Sequence, residues 1–196
     1  MVVVPVSGAV PDARSTGVRD RQGQQAPPRH APPDEYRTLM SGFPTGVAVV
    51  TTIDRHGRPR GLTCSSLSSV TLDPPTLLVC IHARSGTLQA LRGHGSFAVN
   101  LLHARGRRAA EVFSSPAAER FAEVSWRPSR LGGLPWLARD AFALAECVVT
   151  RMLRVGDHSV VLGEVTDIVH AADMPLLYGM RQFSAWLPEA ADPGTR

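Results

Sequence analysis

Residues 141–169 constrain this fold more than any other stretch of the chain. Ala141–Val155 is a long β-rich run in which Phe142, Leu144, Glu146 and Val148 fall partly on a period of two, and 159–169 is a second such run. They pair across Gly156-Asp157, a dipeptide suited to a tight hairpin turn. Shorter β-rich runs lie at 47–53 (VAVVTTI), 70–72, 76–81 and 96–102 (SFAVNLL), and 176–187 reads as a last strand. Short helices punctuate them. Asp34 can cap DEYRTLMSGF, which has Leu39, Met40 and Phe43 on one side and ends at Pro44-Thr45-Gly46. Ser85 can cap a helix running to about Leu91, and 105–115 fits a helix with Ala109, Val112 and Phe113 apolar. Six or seven strands with mostly short connections and no internal repeat predict a mainly β fold. An antiparallel barrel with accessory helices suits this pattern better than alternating βαβ units.

Composition removes several classes of function. The 196 residues suit one domain. All 21 basic residues are arginine, so a P-loop lysine, a Schiff-base lysine and a lysine base are excluded. No stretch approaches the ~18 apolar residues of a membrane span, and no membrane association is expected. Half of the +4 net charge lies in residues 1–33, where Arg14, Arg19, Arg21 and Arg29 outnumber Asp12 and Asp20. The body is therefore nearly neutral, and no nucleic-acid partner is expected. Residues 1–33 also hold six of the 16 prolines and no aromatic side chain, and they read as a disordered tail. The folded domain is expected over 34–187, with 188–196 a short flexible C-terminal tail. No basic n-region precedes the apolar start, which Pro5 interrupts, so a secretory signal is not expected. Cys64, Cys80 and Cys147 have no C-x-x-C spacing, which fits reduced thiols and a cytoplasmic location.

Three segments suggest chemistry. From Thr63 to Val70 there are five hydroxyls and one thiol in eight residues, where a buried strand prefers Val, Ile and aromatic side chains. Small hydroxyl residues let a planar ligand approach the backbone and meet N–H and O–H donors. A flavin is such a ligand; a polar surface strand is the plain alternative. Arg84-Ser85-Gly86-Thr87 combines a cation, two hydroxyls and a helix start, a good phosphate site or simply a capped helix. In Gly156-Asp157-His158-Ser159, a histidine beside a tight turn can face a pocket or stand in solvent. Gly93-His94-Gly95-Ser96-Phe97-Ala98 matches a dinucleotide fingerprint, but it has the helix before and the strand after, the reverse of the required order. Its glycines are expected to end the helix instead. Arg105, Arg107 and Arg108 read as a solvated helix face. The other histidines (His30, His56, His82, His94, His103 and His170) have no metal-like spacing, so no metal is expected.

Six segments in order carry a family resemblance: FPTGVAVVTT (43–52), GLTCSSLSSVTLDPPTLLVCI (61–81), RSGTLQAL (84–91), GSFAVNLL (95–102), GDHSVVLGEV (156–165) and PLLYGMRQFSAW (175–186). Together they resemble the flavin reductase-like, FMN-binding split-barrel family. Within it they are most similar to the small reductase components of two-component flavin monooxygenases. The resemblance covers about 34–187. It implies a six-stranded antiparallel split β-barrel with short accessory helices, working as a homodimer. It also implies NAD(P)H-dependent reduction of FAD or FMN, with NADH the expected donor and NADPH possible, and release of reduced flavin to a partner monooxygenase. By position, Pro44, Thr45, Gly46, Val47, Thr63, Cys64, Ser65, Ser66, Ser68, Ser69 and Val70 would line the isoalloxazine and ribityl chain. Arg84, Ser85 and Thr87 would hold the phosphate. His158 would face the nicotinamide as a positioner rather than a base. Tyr178 and Arg181 fall in a C-terminal strand that often touches flavin, although GMRQFSAW is less basic than the family pattern and has Phe183 where tyrosine is common. A flavoprotein with tightly bound FMN acting on another acceptor, and a non-enzymatic flavin-binding module, are the alternatives.

Overall fold

The computed structural model describes residues 29–116 and 119–186. The expected N-terminal tail lies outside these residues except for 29–33, and the expected C-terminal tail lies wholly outside them. In chain order the elements are α1 (Pro33–Ser41), β1 (Thr45–Gly46), β2 (Ala48–Ile53), β3 (Pro59–Cys64), β4 (Ser68–Leu72), β5 (Pro75–His82) and α2 (Gly86–His94). There follow β6 (Ser96–Leu102), α3 (Arg107–Ser114), β7 (Arg127–Pro128), β8 (Pro135–Trp136), β9 (Ala141–Val155), β10 (His158–His170), β11 (Leu176–Gly179) and β12 (Gln182–Ala185).

The main sheet is antiparallel, in the order β3-β2-β6-β9-β10-β5-β4. Its end strands, β3 and β4, are consecutive in the chain. Ser66, in the link between them, donates from Oγ to the Cys80 carbonyl on β5 (3.1 Å) and accepts the Cys80 N–H (3.0 Å). β3 also shares one apolar core with β5, the strand next to the other end. Cys64 of β3 packs in a single cluster with Val50, Phe97 and Cys147 of the central strands and with Val79, Ile81 and Val161. This is barrel closure, achieved by side chains and a link rather than by a continuous ladder. A second core forms where α3 lays Ala109, Ala110, Val112 and Phe113 against Val47, Val49 and Leu102.

The long hairpin forms as the sequence predicts, with Gly156 (φ +56°) in the turn and β9 and β10 paired from His158–Val155 down to His170–Ala143. Ser85 caps α2 by accepting the Thr87 N–H at 3.2 Å, and Gly95 (φ +79°) ends it with an N–H bond to the Leu91 carbonyl. That disposes of the dinucleotide fingerprint. Two expectations need correction. The main sheet has seven strands rather than six: β3 forms where the sequence shows no β-rich run, and β4, expected at 70–72, begins at Ser68 as a wholly exposed edge. The run 176–187 is a hairpin rather than one strand. Met180 and Arg181 have φ of +50° and +60° and turn β11 back as β12, which forms a small sheet with β1. Among the described residues no helix is long and apolar enough to cross a membrane.

Candidate active site

Three regions meet at the end of β5. The first is a cavity of about 450 Å³ lined by Thr45, Ser65, Ser66, Ser68 and Tyr178, with Phe43 at its rim. The register of β1 on β11 sets Thr45 opposite Tyr178, which packs on Phe183 with ring centroids 5.2 Å apart. The hydroxyl-rich run serves two purposes. Thr63 donates to the Ala110 carbonyl (2.6 Å), tying β3 to α3, and Ser66 clamps β5, with Cys64 Sγ 3.2 Å from its hydroxyl. Among the described residues the hydroxyl of Ser65, on the cavity wall, makes no side-chain hydrogen bond and is available to a ligand, whereas Ser69 lies outside the lining. Cys64 is buried, which pushes its thiol up, only partly offset by Ser66. Val47 is buried and anchored by its N–H to the Leu176 carbonyl, outside the lining of this cavity. Pro44 precedes β1 and Gly46 is its second residue. Val70 lies on exposed β4, and Arg181 lies in the β11–β12 turn; neither lines this cavity.

The second region is a cavity of about 350 Å³ lined by Arg84, Ser85 and Thr87, as expected, together with Arg60, Gly61 and Arg120. Three guanidiniums and no carboxylate line it. Arg120 is tied to the Gly61 carbonyl (2.9 Å) and to the Ser115 carbonyl, while its buried Nε has no partner. A basic cavity with an unmatched buried donor fits a phosphate group. Sequence reasoning missed Arg60 and Arg120, because they come from separate elements and neither stands in a motif.

The third region contains His158. Strand register sets it opposite His82, and the two rings meet edge to face at 5.3 Å. His158 Nδ1 and Asp157 Oδ1 are 2.7 Å apart, and His82 Nε2 lies 3.9 Å from Asp157 Oδ2. His82 Nδ1 accepts the Arg84 N–H (3.2 Å), which assigns the proton of the neutral ring to Nε2, facing Asp157. The hydrogen bond from His158 holds the Asp157 carboxyl below the usual carboxylate range, against a smaller opposing effect of desolvation. His82 thus links His158 to the backbone of Arg84. Among the described residues no cluster of histidine, cysteine and carboxylate groups is arranged to hold a metal.

A family model, the flavin reductase like domain, matches residues 40–187. The chain belongs to that family, and its split barrel is the family's fold. It is 61% identical over 163 residues to a flavin reductase (NADPH) of Lentzea aerocolonigenes, covering 83% of this chain and 95% of that one. Among solved structures it resembles the NADH:FAD oxidoreductase of Streptomyces globisporus in complex with NAD and FAD fragments. That match has a TM-score of 0.75 and 34% identity, over 81% of this chain and 94% of that chain. It also resembles nitrilotriacetate monooxygenase component B from Mycobacterium thermoresistibile, with TM-score 0.75 and 31% identity, over 83% of this chain and 91% of that chain.

Proposed function

We infer that the protein is an NAD(P)H:flavin oxidoreductase that reduces FAD or FMN and supplies reduced flavin to a partner monooxygenase. One observation carries the reading. Within Cys80–Arg84, Ser66 grips the backbone of Cys80, His82 pairs with His158, and Arg84 opens the phosphate cavity. A planar ring, a nicotinamide and a phosphate are thereby addressed from one five-residue stretch.

With both substrates bound, hydride passes from the nicotinamide C4 to the flavin N5, so the ligands carry the redox chemistry. The residues position and stabilise. Ser65 offers a free hydroxyl to a ring laid against Thr45 and Tyr178, with Ser66 and Ser68 on the same wall. Arg60, Arg84 and Arg120 neutralise the phosphate. His158, oriented through Nδ1 by Asp157, keeps Nε2 for the carboxamide. The gain comes from holding the reacting atoms near ~3–3.5 Å and from donors matched to the charge that grows on the ring. No acid–base triad is required.

The reading includes a homodimer. α1 buries none of its residues against its own chain; Leu39 on it and Phe43 just beyond it are 71% and 64% exposed. Leu72, Val155 and Trp186 are exposed as well. Apolar side chains left uncovered on and beside α1 suit a protein interface.

The test is a steady-state matrix of FAD and FMN against NADPH and NADH, read as nucleotide oxidation. Turnover is expected in at least one combination, with reduced flavin passing to an added flavin-dependent oxygenase. No turnover in all four would overturn the assignment.

A further inference from the structure

We propose that the cleft between the β2–β3 turn and α2 binds the adenylate half of FAD, making FAD rather than FMN the flavin this protein selects. The proposal rests on the flavin reductase reading above. The cleft has a volume of about 440 Å³. Arg55, His56 and Arg58 form one wall, and Gly86, Gln89 and Gly93 of α2 form the other. It adjoins the phosphate cavity directly, since Arg60 and Gly86 line both. FMN ends at its one phosphate. FAD continues from that point through a second phosphate to a ribose and an adenine, and the continuation needs a space of this kind in this place.

The chemistry of the walls suits an adenylate. Asp54 fixes the turn by accepting the N–H groups of His56 (2.9 Å) and Arg58 (3.0 Å) on Oδ1. Its Oδ2 accepts from Arg58 Nε (3.1 Å) and from Arg60 Nε and a terminal nitrogen (3.1 and 3.0 Å). One carboxylate therefore orients two guanidiniums and leaves the terminal nitrogens of Arg58 free among the described residues. Arg55 spends only Nε, on His56 Nε2 (3.1 Å). Three arginines to one carboxylate leave an excess of positive charge for a pyrophosphate. On the opposite wall a Cβ added at Gly86 or Gly93 would meet nothing within 4 Å, so the helix surface there is open, and Gln89 offers an amide to a base edge.

An adenylate is also part of NADPH. The cleft opens from the cavity of Ser85 and Thr87, whereas His82, Asp157 and His158 line neither space, which favours the flavin as its source.

Two variants test this by different means: Arg55→Ser/Arg58→Ser removes charge from one wall, and Gly93→Leu fills the cleft from the other without removing charge. For each, KM is measured for FAD, FMN and NADPH, and flavin affinity is titrated separately by fluorescence quenching. 5′-AMP is added as a competitor to the wild type. We expect both variants to raise KM and Kd for FAD by about tenfold while FMN and NADPH shift less than about twofold. AMP should compete with FAD and not with FMN. Equal losses for FAD and FMN, a rise confined to NADPH, or no change in either variant would each overturn the subsite. If the wild type binds FAD selectively and the variants abolish that selectivity, yet no flavin is reduced, the oxidoreductase reading fails while the subsite stands.

Discussion

Asp157 sits between two imidazoles, and its charge decides how both are held. Its carboxyl is kept below the ordinary value chiefly by the His158 hydrogen bond, with the charges of His158 and His82 acting in the same direction. A carboxylate with a lowered value in the folded state contributes stability that is fully present above its unfolded value, near ~4. That contribution is lost as pH falls through the lowered folded value. Across the neutral range Asp157 therefore remains an anion, and His158 keeps its orientation. Asp157→Asn preserves the shape but removes the charge. It is expected to raise KM for the nicotinamide substrate several-fold with a smaller loss in kcat; an unchanged KM would refute the positioning role. His82→Ala also frees the Arg84 N–H, so KM for flavin should rise too. His82→Asn, which keeps an acceptor, should lie between that variant and the wild type. His158 was legible in the sequence because it adjoins a recognisable turn. His82 was not, because its partnership depends on the register between β5 and β10, which no local pattern states.

The barrel strands depend on one close approach. Gly163 in β10 faces Phe97, which is fully buried in β6, and a Cβ there would lie 2.6 Å from two ring atoms and 2.9 Å from Cys147 Cβ. β10 also shifts register against β9 at Leu162/Gly163. The ring is fully buried, so it has to shift within a packed core to admit a Cβ. Gly163→Ala should destabilise the fold by about 1–3 kcal/mol, the usual cost of overpacking a well-filled core. Thermal melts would show it as a drop of several degrees, and a Tm equal to wild type would mean the ring relaxes freely. At this scale the sequence was read well where punctuation is chemical. Gly156 opened the hairpin, and Ser85 and Gly95 bounded α2. It was misread where punctuation is absent: the β11–β12 turn uses Met180 and Arg181 at positive φ, residues that give no turn signal. β3 was equally hard to place, because PRGLTC has too few apolar and β-branched residues to show a strand pattern.

Viewed as a whole molecule, the protein leaves apolar side chains where its own chain provides no cover, and they border the ring cavity. Met40 and Phe43 line the cavity of Ser65 and Tyr178, while Leu39, on the same helix as Met40, lies outside it. If a second copy covers α1, association and flavin binding are coupled, since the surface that closes the dimer also closes one side of the flavin site. A monomer would leave the ring wet, weakening the electrostatic stabilisation on which hydride transfer relies. Leu39→Glu places a charge in that surface without touching the cavity lining. It should shift sedimentation from dimer towards monomer and raise KM for flavin as the dimer is lost. The rise should diminish at higher protein concentration, where mass action restores the dimer. A wild-type protein that sediments as a monomer at micromolar concentration would sink the dimer. A monomeric Leu39→Glu variant with unchanged flavin KM would show instead that each chain holds its flavin alone.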